Sequence, residues 1–466
     1  MLLALVLLHG YIWWRMVRST TVPGRLRRRL TLLTVVLALL PAAAVALGSA
    51  APPALATALE WVGFTWLGLA FYLFVTLLAL EPVRLVIRLR ERSRKASDLG
   101  SRPDGLVTAS GANRRTAPGR TEEVVLSGPR RGPRRDDETA QHDRGTAAGR
   151  GGRPEDDSVI ATAQRDGGTA PGGGAVREDS DVTITSPSRR LFLARSLAVT
   201  AGAVTLGTAG TGVYVANSPP RVERVPIRIP GLDPAFDGFR IVTFSDAHLS
   251  PTYGRRRFER LVEIVNGQRP DVVAIVGDLV DGSVADLRED VAPLADLVSE
   301  QGVFFVTGNH EYFVDTREWM RHLPTLGVDV LHNERVGLRR GAAGLDLAGI
   351  DDRTAASSGV PGHGADLDAA LDGRDDATPV VLLAHQPVLV DQAAAAGVDL
   401  QLSGHTHGGQ LWPFDYLIRL DQPVVDGLNR VGDTQLYVTR GAGYWGPPMR
   451  VGAAPEVTVV ELRAEG

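Results

Sequence analysis

The sequence predicts an α/β fold class, a layered α/β domain over residues 221–466, preceded by transmembrane helices and a disordered linker. Three observations support this reading. Five short apolar runs after Arg240 each stop at a polar cluster, and amphipathic segments separate them. The first 95 residues carry long apolar segments with arginine-rich flanks. Between the two regions, apolar periodicity disappears. The division is therefore a membrane region at 1–95 with about three spans, a Gly/Pro/Arg-rich linker at 96–187, an export-type anchor at 188–217 and the strand-bearing domain at 221–466.

The first apolar stretch, 1–14, ends in Trp13, Trp14, Arg15 and Arg18, an interfacial aromatic anchor with a basic flank, and it is short for a span. Residues 30–47 follow the basic run Arg25, Arg27, Arg28 and Arg29 and are nearly continuous in Leu, Val and Ala, enough for a helix across ~30 Å of hydrocarbon. Residues 55–80 form a second such stretch, and Arg84, Arg88, Arg90, Arg92, Arg94 and Lys95 behind it place its C-terminal end in the cytoplasm. Buried helices of a soluble domain would not need these paired basic flanks.

Residues 96–187 are dominated by Gly, Pro, Ser, Arg and Asp, and cannot bury enough apolar surface to offset the entropy of ordering them. The apolar segment at 197–216 follows Ser188-Arg189-Arg190-Leu191-Phe192-Leu193, which resembles an internal twin-arginine export signal; two arginines before a span also satisfy the positive-inside rule alone. With Tyr214 two residues before Ala216 there is no clean small-x-small cleavage site, so the segment is expected to stay as an anchor. Threading these segments puts the linker inside and everything after Ala216 outside, a multi-pass cell-membrane protein with its C-terminal domain extracytoplasmic.

The apolar runs at 241–244, 272–276, 303–306, 380–384 and 400–402 are β-branched or apolar throughout, as strands buried on both faces are. Phe258, Leu261, Ile264 and Val265 mark one amphipathic helix between them, closed by the Arg269-Pro270 break. In layered α/β domains the carboxyl ends of strands share one edge, where ligands bind. The polar clusters at these ends supply Asp246, His248, Asp278, Asn309, His385, His405 and His407. Nitrogen and oxygen donors in this mixture suit divalent Mn, Fe, Zn or Ni and are too nitrogen-rich for calcium. Their number exceeds what one catalytic ion takes and fits two ions ~3.5–4 Å apart sharing one carboxylate, for which Asp278 is the natural bridge. Gly277, Gly308 and Gly404 fit sharp turns that aim the following side chain. Zero cysteines exclude thiolate sites, disulfides and a cysteine nucleophile, and a net charge of -4 gives no case for a nucleic-acid partner.

The ordered blocks D-x-H, G-D, G-N-H-E, an isolated His and G-H-T-H resemble the calcineurin-like metallophosphoesterase family over 238–463. The string L-S-G-H-T-H-G-G-Q ending at Gln410, and the run from Gly443 through Tyr444, Trp445, Gly446, Pro447, Pro448 and Met449 to Arg450, are similar to its bacterial YkuE/YaeI-like, membrane-linked branch of phosphodiesterases. The resemblance implies a four-layer α/β/β/α sandwich. It also implies one metal on Asp246, His248 and His407, another on Asn309, His385 and His405, and Asp278 bridging both. His310 would protonate the leaving oxygen without binding metal. Asp281 stands where purple acid phosphatases carry a Tyr, so a tyrosinate-bound ferric ion is not expected. The implied reaction is hydrolysis of a phosphodiester or phosphomonoester by metal-activated water.

The competing class is a membrane-tethered binding or sensory module that keeps a metal site without turnover; it predicts loss of a ligand or of His310, and none is missing. A metal-dependent hydrolase of carboxyl or amide substrates is the second alternative. His322, His332 and His363 read as structural or surface histidines. The stretches 411–414 and 444–449 either wall a substrate cleft or pack as core turns. Arg255, Arg256 and Arg257 are either a solvated helix start or a face toward phosphate or anionic headgroups. Nucleotides, lipid-linked diphosphates, phospholipids and cell-wall phosphodiesters all remain open as substrates.

Overall fold

The computed structural model describes residues 2–47, 53–100 and 188–464. Helix α1 (Leu2–Ile12) runs into a π-helical turn at Trp13–Arg18; α2 is Arg25–Leu47, α3 Pro53–Ala79, α4 Glu81–Gly100 and α5 Arg189–Ala216. Among the described residues three stretches are long and apolar enough to cross a membrane: Arg25–Leu47, Leu55–Arg90 and Arg189–Ala216. The first predicted segment is not one of them. That segment forms α1 and the π-helical turn that continues it to Arg18, and the two such stretches within 1–95 begin at Arg25 and Leu55. The predicted linker lies outside the described residues from 101 to 187, and its first five positions, 96–100, are the last turn of α4.

The apolar helices hold one another by side-chain packing and by hydrogen bonds, several of them on Glu81. Ile12, Ala70, Leu77 and Ala201 form a buried cluster joining α1, α3 and α5, with the close approach that alanines permit. Glu81 accepts hydrogen bonds from Tyr11 Oη at 2.6 Å, Arg15 Nη2 at 2.5 Å and Arg84 Nη1 at 2.7 Å.

The strands are β1 (Arg221–Ile229), β2 (Arg240–Phe244), β3 (Val272–Val276), β4 (Val303–Val306), β5 (Asp329–Val330), β6 (Glu334–Arg340), β7 (Ala343–Gly349), β8 (Val380–Leu383), β9 (Leu400–Ser403), β10 (Gly427–Val431), β11 (Thr434–Val438) and β12 (Glu456–Ala464). Helices α6 (Arg255–Gly267), α7 (Val284–Val291), α8 (Thr316–His322), α9 (Leu367–Leu371), α10 (Val390–Ala395) and α11 (Asp415–Ile418) complete the domain. Two six-stranded sheets result, in the orders β1-β12-β2-β3-β4-β5 and β10-β11-β9-β8-β7-β6.

The expected four layers follow from where the apolar faces go. Ile241, Val272, Val276 and Val306 of the first sheet meet Leu345, Leu347, Val381 and Leu402 of the second in a core between the sheets. The other face of the first sheet, with Val242, Phe244, Val273 and Phe305, packs on Phe258, Leu261 and Val265 of α6 and on Trp319 of α8. The outer face of the second takes Leu367 and Ala370 of α9 and Ala393 of α10. All five predicted strands form within one residue of their expected limits. Each central strand is parallel to its neighbour, with β2, β3 and β4 in one sheet and β7, β8 and β9 in the other, so the strand ends that carry the polar clusters lie at one edge. His385 crosses from the second sheet to the first, its Nδ1 2.8 Å from the carbonyl of Val276.

Candidate metal centre

The turns after the strands are unusual. Asp246 (φ 52°), His248 (φ 47°), Asp278 (φ 52°), His405 (φ 70°) and His407 (φ 52°) all have left-handed backbone, which non-glycine residues rarely adopt and which concentrates at functional sites. The sharp bends thus fall on the candidate ligands themselves. Gly277 also has positive φ. At Gly308 and Gly404 the requirement is closeness: a Cβ on Gly308 would lie 2.2 Å from Asp278 Oδ1, and one on Gly404 would lie 2.3 Å from Ser245 Oγ and 2.4 Å from Asp246 Oδ2.

These turns bring the predicted residues into two adjoining sets. Asp246, His248 and His407 present donor atoms within 4.8 Å of one another, and so do Asp278, His385 and His405. His407 Nε2 lies 3.4 Å from Asp246 Oδ1 and 3.0 Å from His248 Nε2. Asp278 Oδ2 stands between the sets, 3.1 Å from His385 Nε2 and 3.8 Å from His248 Nε2. Further donors hold these carboxylates: His310 N donates to Asp278 Oδ1 at 2.8 Å, His405 N donates to both Asp246 oxygens at 3.0–3.1 Å, and Ser245 Oγ donates to Asp246 Oδ2.

The arrangement fits cations. Asn309 Oδ1 is buried with no hydrogen-bond partner, a desolvation cost of about 1–3 kcal/mol unless something else meets it, and buried His385 Nε2 faces only the carboxylate of Asp278. Two imidazole Nε2 atoms facing each other beside two carboxylates are also donors aimed at a shared positive charge. All the donors are nitrogen or oxygen, as divalent transition metals or manganese accept.

Burial and the local charges act on these groups in opposite directions. Burial alone would raise Asp278, but His385 and His310 overcome it and hold its carboxyl well below the ordinary range. Burial, aided by His385, depresses His405 to about 4. Burial with His248 and Arg450 keeps His407 well below the ordinary imidazole value. Both are therefore neutral, as ligating imidazoles must be. His385 instead is raised well above its ordinary value, since Asp278 and Asp246 outweigh its burial; a cation at Asp278 would take the place of that proton.

Three residues escaped the sequence reading as site components. Asp281 Oδ1 accepts from both His248 Nδ1, at 2.8 Å, and His310 Nδ1, at 2.7 Å; the three-residue spacing from Asp278 was the available signal. Glu311 is buried and accepts backbone N–H bonds from Gly308, Asp278, Leu279 and Val280, cross-linking the turns after β3 and β4. Arg450 is wholly buried, donates to the carbonyls of Gly443, Arg440 and Gly441, and sets Nη2 3.1 Å from His407 Nδ1, leaving Nε2 as the atom that faces Asp246.

The two open alternatives resolve by residue. Trp445 is exposed and its ring stands 5.6 Å from His310, whereas Tyr444 and Met449 are buried. Trp412 and Phe414 are exposed. Arg255 is a solvent-facing helix start paired with Glu259, while Arg257 donates to Tyr444 Oη at 2.9 Å. His332 and His363 are joined by the buried carboxylate of Asp351, at 2.7 and 3.2 Å, in a separate cluster.

The comparisons with known proteins agree with this geometry. A family model described as calcineurin-like phosphoesterase matches residues 239–409. A "transmembrane protein with metallophosphoesterase domain" of Danio rerio is 42% identical over 259 residues, covering 54% of this chain and 59% of that protein. An uncharacterized metallophosphoesterase of Helicobacter pylori is 36% identical, covering 59% of this chain and 73% of that one. The uncharacterized metallophosphoesterase YkuE of Bacillus subtilis is 32% identical, covering 59% of this chain and 98% of that one. The chain thus spans about three fifths of the zebrafish protein and nearly all of the Bacillus one.

Proposed function

The chain belongs to the calcineurin-like metallophosphoesterase family, and from that premise we propose that it hydrolyses a phosphodiester or phosphomonoester with two divalent cations, on the extracytoplasmic face of a membrane. One observation carries the reading: two adjoining sets of buried donors, one of them containing Asp278, converge with Asn309 Oδ1 buried and without a hydrogen-bond partner. Asp246, His248 and His407 would hold one cation, Asn309, His385 and His405 the other, and Asp278 both. When bound, such a pair neutralises phosphate oxygens and lowers the pKa of water toward neutrality.

The rest of the chemistry falls to the chain. His310, next to Asn309 and outside both ligand sets, holds the proton for the leaving oxygen. Burial opposes its charge, but without cations Asp278 and Asp281 raise it to about 9, so the two carboxylates favour the protonated ring. Asp281 aims the ring by taking Nδ1–H and leaves Nε2 for the substrate. Glu311 keeps the turns carrying Asp278 and Asn309 in register. The arginines around Arg27 and after Arg84, with the export-type sequence at Ser188–Leu193, support a topology in which the domain after Ala216 is extracytoplasmic.

The direct test is elemental analysis of the purified full chain together with hydrolysis of bis-nitrophenyl phosphate before and after chelation. Two ions per chain and activity restored by Mn²⁺ are expected. A chain that holds two ions and hydrolyses carboxyl esters but no phosphoester would defeat the reading.

A further inference from the structure

We propose that the substrate is a lipid of the surrounding membrane, with its lipid alcohol as the leaving group, lying between Phe313 and Trp445. This rests on the phosphoesterase reading above and adds the substrate class and its orientation.

The first observation is what surrounds His310. The rings of Phe313 and Trp445 stand 5.2 and 5.6 Å from its imidazole, yet they are 71% and 57% exposed. The group that receives the His310 proton therefore leaves beside two exposed aromatic side chains. Apolar surface at that point gives nothing to a small polar alcohol, and it does favour an acyl or prenyl chain.

The apolar rim continues from there. Gln410 ties the Trp445 loop to the next one, its Nε2 donating to the carbonyl of Trp445 at 2.9 Å and its Oε1 accepting from Trp445 N at 3.0 Å. That neighbouring loop exposes Trp412, Tyr416, Leu417 and, at 83%, Leu420. A run of large exposed side chains on this scale marks an interaction surface, and Trp and Tyr are the residues that favour a membrane interface.

The second observation identifies what covers the rim. The same loops are docked on the membrane helices. Arg450 N donates to the carbonyl of Gly212, one turn before α5 ends at Ala216, at 2.9 Å. Met449 lies so close to α3 that a Cβ on Gly68 would be 2.7 Å from its sulfur. Phe414 packs edge-on against Phe71 of α3 with centroids 6.4 Å apart. The rim is thus held against α3 and α5, two of the helices long and apolar enough to cross a membrane. A lipid beside those helices can place its phosphate at the metal centre and leave its chains among the rim residues and the bilayer.

The step balances with water alone. Water supplies the oxygen that bonds to phosphorus and releases a proton to solvent, the bond from phosphorus to the lipid alcohol oxygen breaks, that oxygen takes the proton from His310, and solvent returns a proton to His310. The products are a lipid alcohol, which stays in the membrane, and a water-soluble phosphate.

The test uses the full chain loaded with Mn²⁺ in phosphatidylcholine vesicles carrying phosphatidylglycerol or, separately, a polyprenyl phosphate. Short-chain, water-soluble phosphatidylglycerol and bis-nitrophenyl phosphate are the comparison substrates. One of the long-chain lipids should be cleaved with kcat/KM at least tenfold above the soluble phosphatidylglycerol, giving diacylglycerol or polyprenol and a soluble phosphate. Trp445→Ser and Phe313→Ser should lower that long-to-short preference at least fivefold with Mn²⁺ content unchanged. A ratio near one, or phosphatidic acid as the product, would overturn the inference while nitrophenyl ester cleavage left the phosphoesterase reading standing. No cleavage of any phosphoester by the Mn²⁺-loaded chain would overturn both.

Discussion

Nδ1 of His310 lies 2.7 Å from Oδ1 of Asp281, and the same oxygen lies 2.8 Å from Nδ1 of His248. One carboxylate therefore orients both a candidate metal ligand and the candidate proton donor, and its own pKa is held at about 2 because His248 and His310 outweigh its burial.

Asp281→Asn should leave the ring in place but remove the charge that favours imidazolium. His310 is raised by Asp278 and Asp281, so its protonated form is lost as pH rises through its folded-state value. Removing one of the two carboxylates lowers that value. The alkaline limb of kcat/KM should move to lower pH, with activity down about 10- to 100-fold. Bound cations lower the value in both forms, so the sign of the displacement is the prediction, and a limb that stays put or moves up contradicts the role.

Asp278→Asn removes the carboxylate proposed to bridge the two donor sets, which lies 3.1 Å from His385 Nε2 and 3.8 Å from His248 Nε2. Both ions should be lost together rather than one alone. Elemental analysis finding two retained ions would exclude the bridging assignment.

His310→Ala should keep both ions and lose activity by a factor on the order of 10² to 10⁴. The loss should shrink as leaving-group pKa falls, because a nitrophenolate departs without a proton and an alkoxide does not. Equal losses for alkyl and nitrophenyl diesters would make His310 an orienting or phosphate-binding residue.

The fourth prediction concerns topology. Protease added to cells with permeable outer layers and an intact inner membrane should cut the domain after Ala216. Cleavage only after the inner membrane is lysed would reverse the orientation. Arg189→Lys combined with Arg190→Lys should block export if the twin-arginine route is used.

The central strands and the ligand-bearing turns were legible because their signals are local. The run Val272–Val276 can only be buried on both faces, and the polar pair Gly277-Asp278 directly after it marks where it stops. The outer strands were not legible. Residues Glu334–Arg340 and Gly427–Val431 are polar and largely open to solvent, and only pairing with a neighbour makes them strands. The short first segment is helical from Leu2 to Arg18 but is not among the described stretches long and apolar enough to cross a membrane.

The sequence by itself determined the family, the layered α/β class and the seven candidate ligands, since residue type and order at strand ends are properties of the chain alone. Only the tertiary structure decided that Asp281 serves two histidines, that Glu311 joins two turns, that Arg450 backs His407, and that Phe313 and Trp445 flank His310. Trp445 and His310 are far apart in the chain, as are Arg450 and His407. Strand spacing can aim a residue at an edge; which distant side chain meets it there depends on how the two sheets and the membrane helices pack.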